Sequence, residues 1–403
     1  MELSARQRKI RDKQQQASAA AKADPATYTT HNPFRTQERN FKSRAPPPDF
    51  SRVFDFNDIE RNAPDVRKEI VEVELAHDIG QLCSFFGQED RSRRKAYLVK
   101  SVPGLVVIPN PFTPDAQRTL IRECLCTWSR PPNTSNLDTH YKIPTQGIWN
   151  LFEREWNGTV SPTDNEYLVG LKAHNPVPNG NGYVDDFTSK PPPPPSSTIP
   201  QLPPHQLIRK LRWVTLGYQY HWTTKTYHLE KGQLPMPDLV RDISRAIVTS
   251  CEGVGMTVTD TVDAPPHPSA PKTWHYTNPH PEKAPYTPQA GVINYYQMRD
   301  SLMAHVDKSE AWMGGALVSI SLGNTAIFLM GGKTRDTPPI AMYLRSGDTV
   351  VMTGEARDCF HGVPRILEDT CPEYLLTDES DWQIIRDYIR HSRINLNVRQ
   401  VFP

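Results

Sequence analysis

Two neighbouring segments, Ala316-Leu-Val-Ser-Ile-Ser-Leu322 and Thr325-Ala-Ile-Phe-Leu-Met330, decide the fold of this 403-residue chain. The first segment alternates between apolar and polar residues, which is the period of a β-strand. A Gly-Asn pair separates it from the second segment and indicates a turn. The two segments therefore predict two strands of a barrel.

Further strand-like segments lie on both sides of this pair. Gly291–Gln297 is rich in β-branched and aromatic residues, and Ala341–Leu344 and Asp348–Met352 flank the turn residues Arg345–Gly347. No helical period interrupts residues 291–364. Short strands separated by turns indicate an α+β, mainly β fold: a double-stranded β-helix (jelly roll) with flanking helices and a disordered basic N-terminal tail.

The chain contains a candidate metal-binding set in His305-Val-Asp307 and His361. Two imidazoles and one carboxylate can form a facial triad that leaves positions on Fe(II) open for a keto acid and dioxygen. A His-x-Asp alone recurs by chance, and a single histidine is more often structural. The order of these residues favours a metal site, because each ligand group follows an apolar strand and an arginine-bearing strand comes after them.

The last strand-like segment, Arg393-Ile-Asn395-Leu-Asn397-Val-Arg399, carries polar residues at every second position. Residues two apart on a strand share one face, so these four polar side chains would point the same way. An arginine there could hold the distal carboxylate of a keto acid with its planar fork. The alternative is an ordinary half-exposed strand whose polar side faces water.

Several stretches together resemble the AlkB family of Fe(II)- and 2-oxoglutarate-dependent dioxygenases, and within it the eukaryotic homologue 1 branch. The similarity extends from Leu207 to Pro403, with a fainter match in Pro103–Phe112. The stretches that carry it are Leu211–Tyr220, Val292–Tyr296, His305–Glu310, Thr325–Gly332, Ser346–Asp348, Val363–Arg365 and Arg393–Val401.

The resemblance implies roles for individual residues, with no catalytic side chain beyond the iron ligands. The implied Fe(II) ligands are His305, Asp307 and His361. The implied 2-oxoglutarate residues are Arg393 on the distal carboxylate, Asn294 and Tyr296 beside it, and Asn395 and Arg399 on the polar floor. One departure is Asn397, where the family usually has Thr, so the local hydrogen bonding must differ.

The resemblance also implies a reaction and a class of substrate. With 2-oxoglutarate and O2, a methyl group of a nucleic-acid base would be hydroxylated, the first expectation being tRNA with 1-methyladenosine or 5-methylcytosine. Trp213, Tyr218 and Tyr220 would hold a base taken out of its stack. For the tryptophan, the alternative is the buried face of a strand. Alternatives for function are a DNA-base demethylase acting on N6-methyladenine or alkylation damage, and a non-catalytic or protein-directed member of the fold.

Composition excludes several other classes of protein. The mean hydropathy is −0.59 and no run of about eighteen apolar residues occurs, which argues against a membrane protein. The six cysteines include no C-x-x-C pair and favour a reducing compartment. We expect a monomer in the nucleus or the cytoplasm, with the mitochondrion as the alternative because of the Arg- and Ala-rich start.

Charge and composition divide the chain into four predicted regions: a disordered basic tail (1–48), an N-terminal extension packing on the core (49–172), a Pro/Gly-rich mobile insertion (173–205) and a dioxygenase domain (206–403). Residues 1–44 carry ten Lys or Arg against four acids, although the whole chain has a net charge of only +1. Such an arm can follow phosphates, or it can be simply a solvated tail. Two helices are predicted, one beginning at Pro114 with Thr113 as its N-cap, the other at residues 237–248.

Overall fold

The computed structural model describes residues 32–88, 90, 94–172, 198–221, 226–227, 233–257, 273–279 and 286–403. The expectations for residues 1–31 and for residues 173–197 of the insertion lie outside these ranges. The described helices are α1 (Pro33–Lys42), α2 (Pro64–Glu69), α3 (Ile79–Leu82), α4 (Pro114–Arg122), α5 (Gly147–Trp156), α6 (Pro204–Leu207), α7 (Asp238–Ser250) and α8 (Gln383–Ile389). None of them has the length and apolar character needed to cross a bilayer.

The strands form two principal sheets. They are β1 (Ile70–Glu74), β2 (Lys95–Val99), β3 (Leu105–Ile108), β4 (Trp213–Gly217), β5 (Tyr220–His221), β6 (Thr226–Tyr227), β7 (Gly255–Thr257), β8 (Thr273–His275), β9 (Ala290–Gln297), β10 (Leu302–His305), β11 (Leu317–Gly323), β12 (Ala326–Met330), β13 (Ile340–Leu344), β14 (Thr349–Met352), β15 (His361–Ile366) and β16 (Ser392–Arg399). The larger sheet has the order β1-β2-β3-β14-β11-β16-β9-β4, and the smaller has the order β10-β15-β12-β13.

The two sheets pack face to face around a shared apolar core. Leu317 and Val350 of the larger sheet belong to the same buried cluster as Phe328 and Met342 of the smaller sheet. All strand pairs in both sheets are antiparallel. This two-sheet sandwich, with α4 and α7 against the larger sheet and α1 against the smaller, confirms the predicted jelly roll with flanking helices.

The turn between β11 and β12 takes the chain from one sheet to the other. β11 lies in the larger sheet and β12 in the smaller, so the two segments are neighbours in sequence but not in a sheet. Gly323 adopts φ +85°, and a Cβ there would lie 2.9 Å from the backbone oxygen of Ser392. The turn therefore requires glycine both for its conformation and for its close approach to β16.

The outer face of the larger sheet is covered by helices. Ile320, Leu396 and Ile293 lie side by side across β11, β16 and β9. They share one buried cluster with Leu120 of α4 and Ile243 of α7. Every residue of β11 is buried, because its polar alternate side chains face inward between the sheets instead of facing water.

The inward face of the larger sheet is polar at its centre. Ser321, Asn395 and Asn294 lie opposite one another across the same three strands, and Arg393 lies next to them. Arg393 is only 1% exposed and Asn395 only 7%. The alternative prediction for residues 393–399, a half-exposed strand with its polar side in water, is therefore wrong. The polar side faces the interior of the sandwich.

Both predicted helices are present at the larger sheet. The Thr113 hydroxyl accepts a hydrogen bond from Ala116 N–H, Pro114 is the first residue of α4, and a π-helical segment, Glu123–Thr127, continues it. The second predicted helix is α7, which begins at Asp238, one residue later than expected, and extends to Ser250.

The prediction that disorder extends to residue 48 is wrong for residues 33–42, which form α1. The Asn32 side chain caps this helix by accepting from Arg35 N–H. Phe34 and Phe41 lie seven positions apart on one helical face and are both buried. The prediction of disorder followed the charged and polar residues that surround Phe34 and Phe41. It therefore missed the helix that these two buried rings anchor.

The predicted mobile insertion also ends earlier than residue 205. Tyr141 donates its hydroxyl to the backbone oxygen of Pro200, and the Gln201 amide donates to the backbone oxygen of Val169. The described residues 198–205 are thus attached to the N-terminal extension. The rest of the four-region division stays a prediction.

Truncation of Leu396 to alanine should destabilise the fold. Leu396 is fully buried between the larger sheet and its helices. We expect a loss of about 2–5 kcal/mol in the free energy of unfolding, from lost burial and the cavity left behind. Urea denaturation would measure it. The control, Leu82→Ala at a side chain that is 41% exposed, should change stability by no more than about 0.5 kcal/mol; equal losses would contradict this account of the core.

Candidate metal centre and co-substrate pocket

The two histidines of the predicted triad lie on neighbouring strands of the smaller sheet. His305 is the last residue of β10, His361 is the first residue of β15, and the two are paired across the sheet. Their ring centroids are 4.4 Å apart. Asp307 follows β10 by two residues, and one ligand atom from each of the three side chains lies within 4.8 Å of the others. The structure therefore brings the predicted triad together.

Backbone carbonyls orient both imidazole rings. Nδ1 of His305 lies 2.8 Å from the oxygen of Met303, and Nδ1 of His361 lies 3.2 Å from the oxygen of Cys359. A carbonyl oxygen only accepts, so Nδ1 carries the proton in each ring. Nε2 is then left as the ligand atom, and each Nε2 lies within 3.8 Å of an Asp307 oxygen.

The electrostatics suit metal binding. Burial alone would raise the pKa of Asp307, but Arg399 and the two imidazoles hold it well below its usual range. Burial and the neighbouring His361 lower the pKa of His305. An ionised carboxylate and a neutral imidazole are the forms that bind a metal. Two nitrogens and one oxygen in this arrangement fit Fe(II) with open coordination positions.

Arg393 is a buried cation with unused hydrogen-bonding capacity. Its Nη2 donates to the hydroxyl of Ser321 at 2.9 Å, and its guanidinium carbon lies 5.2 Å from the ring centroid of Tyr296. Within the described part of the chain, its Nε and Nη1 have no hydrogen-bond partner. Burial lowers the pKa of Arg393. A carboxylate ligand would supply the missing charge and acceptors, which is what the distal end of 2-oxoglutarate offers.

The other predicted co-substrate residues lie on the same inward face. Asn294 and Tyr296 of β9 are paired with Asn395 and Arg393 of β16. The Asn294 amide donates to Asn395 Oδ1 at 3.4 Å, and the Asn395 amide donates to the Ser319 hydroxyl at 2.8 Å. Four of the five predicted residues therefore form one polar floor beside the metal triad.

Arg399 has contacts of a different kind. Its Nη2 donates to Asp307 Oδ2 at 3.2 Å and to Asn397 Oδ1 at 2.7 Å, while Nη1 donates to Glu310 Oε1 at 3.1 Å. Its guanidinium is thus engaged with a predicted metal ligand, and its predicted contact with the keto acid stays a prediction. Asn397, in the position usually held by Thr, supplies an amide oxygen to this arginine.

Sequence reasoning missed two buried charges, Glu310 beside Arg399 and Arg357 beside Glu310. The carboxylate of Glu310 is fully buried and also pairs with Arg357 Nη2 at 3.1 Å. Asp307, Arg399, Glu310 and Arg357 therefore form a chain of alternating charges. Glu310 lies three residues after Asp307 in a stretch that carried the family resemblance, so spacing could have found it. Arg357 lies in a short 3₁₀ helix, Gly354–Asp358, and has no comparable signal.

An aromatic cluster borders the metal site. The Ser309 hydroxyl donates to the Tyr220 hydroxyl at 3.4 Å, and the rings of Tyr220 and Tyr227 meet edge to face at 5.4 Å. Tyr218 packs on Phe402 in the same cluster. Burial raises the pKa of Tyr220, so this phenol stays protonated. Of these four rings, Tyr227 and Phe402 were not anticipated from the sequence.

Trp213, the third predicted substrate residue, lies apart from this cluster. It begins β4 at one edge of the larger sheet and is paired with Asn294. Cross-strand partners share a face of a sheet. The half-buried indole is therefore on the polar inward side, next to the predicted co-substrate floor. Whether any of the three predicted residues contacts substrate stays a prediction.

Comparison with known proteins agrees with this geometry. The sequence profile of the 2OG-Fe(II) oxygenase superfamily matches residues 189–399. The chain belongs to this superfamily. It is a 2-oxoglutarate-dependent dioxygenase, and within the superfamily it is an AlkB-type protein close to ALKBH1.

Three relatives show how far the likeness extends. The mouse nucleic acid dioxygenase ALKBH1 is 31% identical over 335 residues, 78% of this chain and 68% of the mouse protein. The Arabidopsis thaliana DNA N(6)-methyladenine demethylase ALKBH1A is 30% identical over 90% of both chains. The Schizosaccharomyces pombe tRNA demethylase abh1 is 29% identical over 92% of this chain and 96% of its own length.

Replacing Arg393 by alanine should selectively impair binding of 2-oxoglutarate. A charge-assisted pair contributes about 1.5–3 kcal/mol, which corresponds to a rise of about 10- to 150-fold in the KM for 2-oxoglutarate. The KM for the nucleic-acid substrate should stay unchanged. Arg393→Lys, which keeps the charge without the planar fork, should lie between wild type and alanine. Equal effects on both KM values would rule out the carboxylate-binding role.

Proposed function

We propose that this protein oxidatively demethylates or hydroxylates methylated bases in nucleic acid, with Fe(II), 2-oxoglutarate and O2, and that its first substrate is tRNA carrying 1-methyladenosine or 5-methylcytosine. One observation carries the proposal: the smaller sheet brings the candidate metal triad together, and the facing larger sheet carries on its inward side a buried Arg393 whose Nε and Nη1 have no hydrogen-bond partner among the described residues. This arrangement supports an active oxygenase over a metal-free binding protein. A scaffold would have no use for an uncompensated buried cation.

Each residue of the site contributes a definite part. Nε2 of His305, Nε2 of His361 and the Asp307 carboxylate would hold the metal, and Arg399 keeps that carboxylate ionised and in place. When bound, Fe(II) and 2-oxoglutarate supply the oxygen activation that oxidises a C–H bond, with succinate and carbon dioxide as co-products. Arg393 would orient the keto acid by its distal carboxylate, since its guanidinium is buried between the two sheets.

The outcome depends on the atom that carries the methyl group. When the carbon is attached to nitrogen, its hydroxylation gives a hemiaminal, whose C–N bond then breaks to release formaldehyde and the free amine. When the carbon is attached to another carbon, as in 5-methylcytosine, the product is an alcohol that further oxidation converts to a formyl group. The site geometry is compatible with both outcomes, since only the C–H bond must reach the metal.

A nucleic-acid substrate is supported by two features. The relatives are named a nucleic acid dioxygenase, a tRNA demethylase and a DNA N(6)-methyladenine demethylase. In this chain, Tyr218 and Tyr220 lie in an aromatic cluster that adjoins the metal ligands through Ser309. Aromatic faces of this kind hold a base that has left its stack, and single-stranded loops of tRNA release bases at low cost.

Two other functions remain as alternatives to the tRNA proposal. The first is demethylation of DNA bases, N6-methyladenine or alkylation damage, by the same chemistry. The second is a protein-directed or non-catalytic role. We further propose that the protein acts as a monomer in the nucleus or cytoplasm, or in the mitochondrion if the Arg- and Ala-rich start directs import.

Nucleoside mass spectrometry would test the proposal. Total tRNA and genomic DNA are incubated separately with the purified protein, Fe(II), 2-oxoglutarate and ascorbate, then digested and quantified. We expect loss of 1-methyladenosine, or conversion of 5-methylcytosine, in the tRNA pool. A loss confined to DNA would establish the DNA alternative, and no change in either pool would favour a protein-directed or non-catalytic role.

The Asp307→Ala variant is the matched control for this assay. Removal of the one carboxylate ligand should abolish succinate formation, because two imidazoles alone leave the metal weakly held. Circular dichroism should show the same secondary structure as the wild type, since Asp307 lies in a loop after β10 and the buried Arg399 keeps Glu310 and Asn397 as acceptors. Turnover that persists at the wild-type rate would reject the metal assignment.

A further inference from the structure

His305 lies on a strand with little support of its own. β10 is an edge strand of the smaller sheet. It is paired with β15 only at Leu302 and His305, and the register shifts between these two points. The peptide groups just before the metal ligand are therefore outside the regular ladder. Buried backbone groups in such a position must find other partners.

A side chain from α1 supplies that partner. Glu38 Oε1 accepts a hydrogen bond from Ala304 N–H at 2.6 Å. The same peptide group carries the carbonyl of Met303, which lies 2.8 Å from Nδ1 of His305. One peptide therefore links the Glu38 carboxylate on one side to the imidazole of a metal ligand on the other. On the far side of Ala304, its carbonyl oxygen accepts from Arg335 Nη2 at 3.0 Å.

This linkage resembles a carboxylate that orients a metal-bound histidine, with a peptide inserted between the two groups. An ionised carboxylate on the N–H polarises the peptide, which makes the Met303 carbonyl a stronger acceptor for the proton on Nδ1. That proton position leaves Nε2 of His305 available for the metal. Partners of this outer kind typically change metal affinity by about 10- to 100-fold.

Glu38 is held firmly enough to act in this way. The residue is 4% exposed, and its Oε2 accepts from Arg35 Nη1 at 3.0 Å. The helix that carries it is attached through other contacts, because Phe34 and Phe41 pack in the same buried cluster as Ala304. Loss of the Glu38 carboxylate should therefore leave α1 in place.

We propose that Glu38 is a positioning residue for His305, so that α1, which the composition assigned to a tail, belongs to the metal centre. The inference rests on the metal site of the proposed function but not on the identity of the substrate. It predicts that loss of the Glu38 carboxylate weakens metal binding directly. The kinetic constants KM and kcat should change only because less metal is bound.

The test is a direct metal titration without substrate. Binding of Co(II), or of Fe(II) under anaerobic conditions, is measured by isothermal titration calorimetry for wild type, Glu38→Ala and Glu38→Gln. We expect Glu38→Ala to weaken the Kd about 10- to 100-fold. Glu38→Gln, which keeps an oxygen acceptor but loses the charge, should show a smaller loss. At saturating metal, the nucleic-acid KM and kcat of both variants should return to wild-type values.

Glu368→Ala is the control, since this exposed carboxylate pairs with Arg44 just beyond α1 and lies outside the hydrogen bonds that link α1 to β10. Its metal Kd should equal that of the wild type. A wild-type Kd for Glu38→Ala, or a loss of nucleic-acid binding with metal affinity intact, would overturn the inference. If Glu38→Ala does not fold, Glu38→Gln decides the question by the same criterion. Failure of the wild type itself to bind metal would instead reject the proposed function.

Discussion

The antiparallel pairing of His305 with His361 is the constraint on which the site depends. It places two imidazoles from distant parts of the chain within 4.4 Å of each other, measured between ring centroids. Strand pairing fixes that distance, and carbonyls two residues upstream fix the ring orientation. Asp307 then needs only a short extension of β10 to complete the set. The smaller sheet thus provides the candidate metal ligands, and the larger sheet provides the polar floor.

Two arginines of β16 are buried between the sheets and differ in whether a carboxylate compensates their charge. Arg399 is compensated, because Asp307 and Glu310 flank it and Arg357 continues the alternation. Arg393 lacks such a partner among the described residues and depends on a hydroxyl and an aromatic ring. A compensated cation stabilises protein groups, whereas an uncompensated one is suited to bind an anion. The sequence places both on one strand face and does not distinguish them.

The helix α1 shows how composition can mislead. Its charged residues resemble the basic segment before it, yet two phenylalanines attach it to the smaller sheet and bury Glu38 against β10. Local signals describe the helix well, with Asn32 as N-cap and Pro33 as first residue. Its importance comes from a contact with residue 304, which lies 266 positions away in the chain.

The sequence by itself determined the six strands β9, β11, β12, β13, β14 and β16, the helices α4 and α7, the residues of the candidate metal triad and the identity of the polar residues on β16, because these follow from local periodicity, capping and a motif of fixed order. The tertiary structure alone decided that β11 and β12 lie in opposite sheets, that the polar face of β16 points inward, and that Glu310, Arg357 and Glu38 join the site. The physical reason is that burial and charge pairing depend on which segments meet. Strand alternation specifies two faces of a sheet, and only packing specifies which of them is covered.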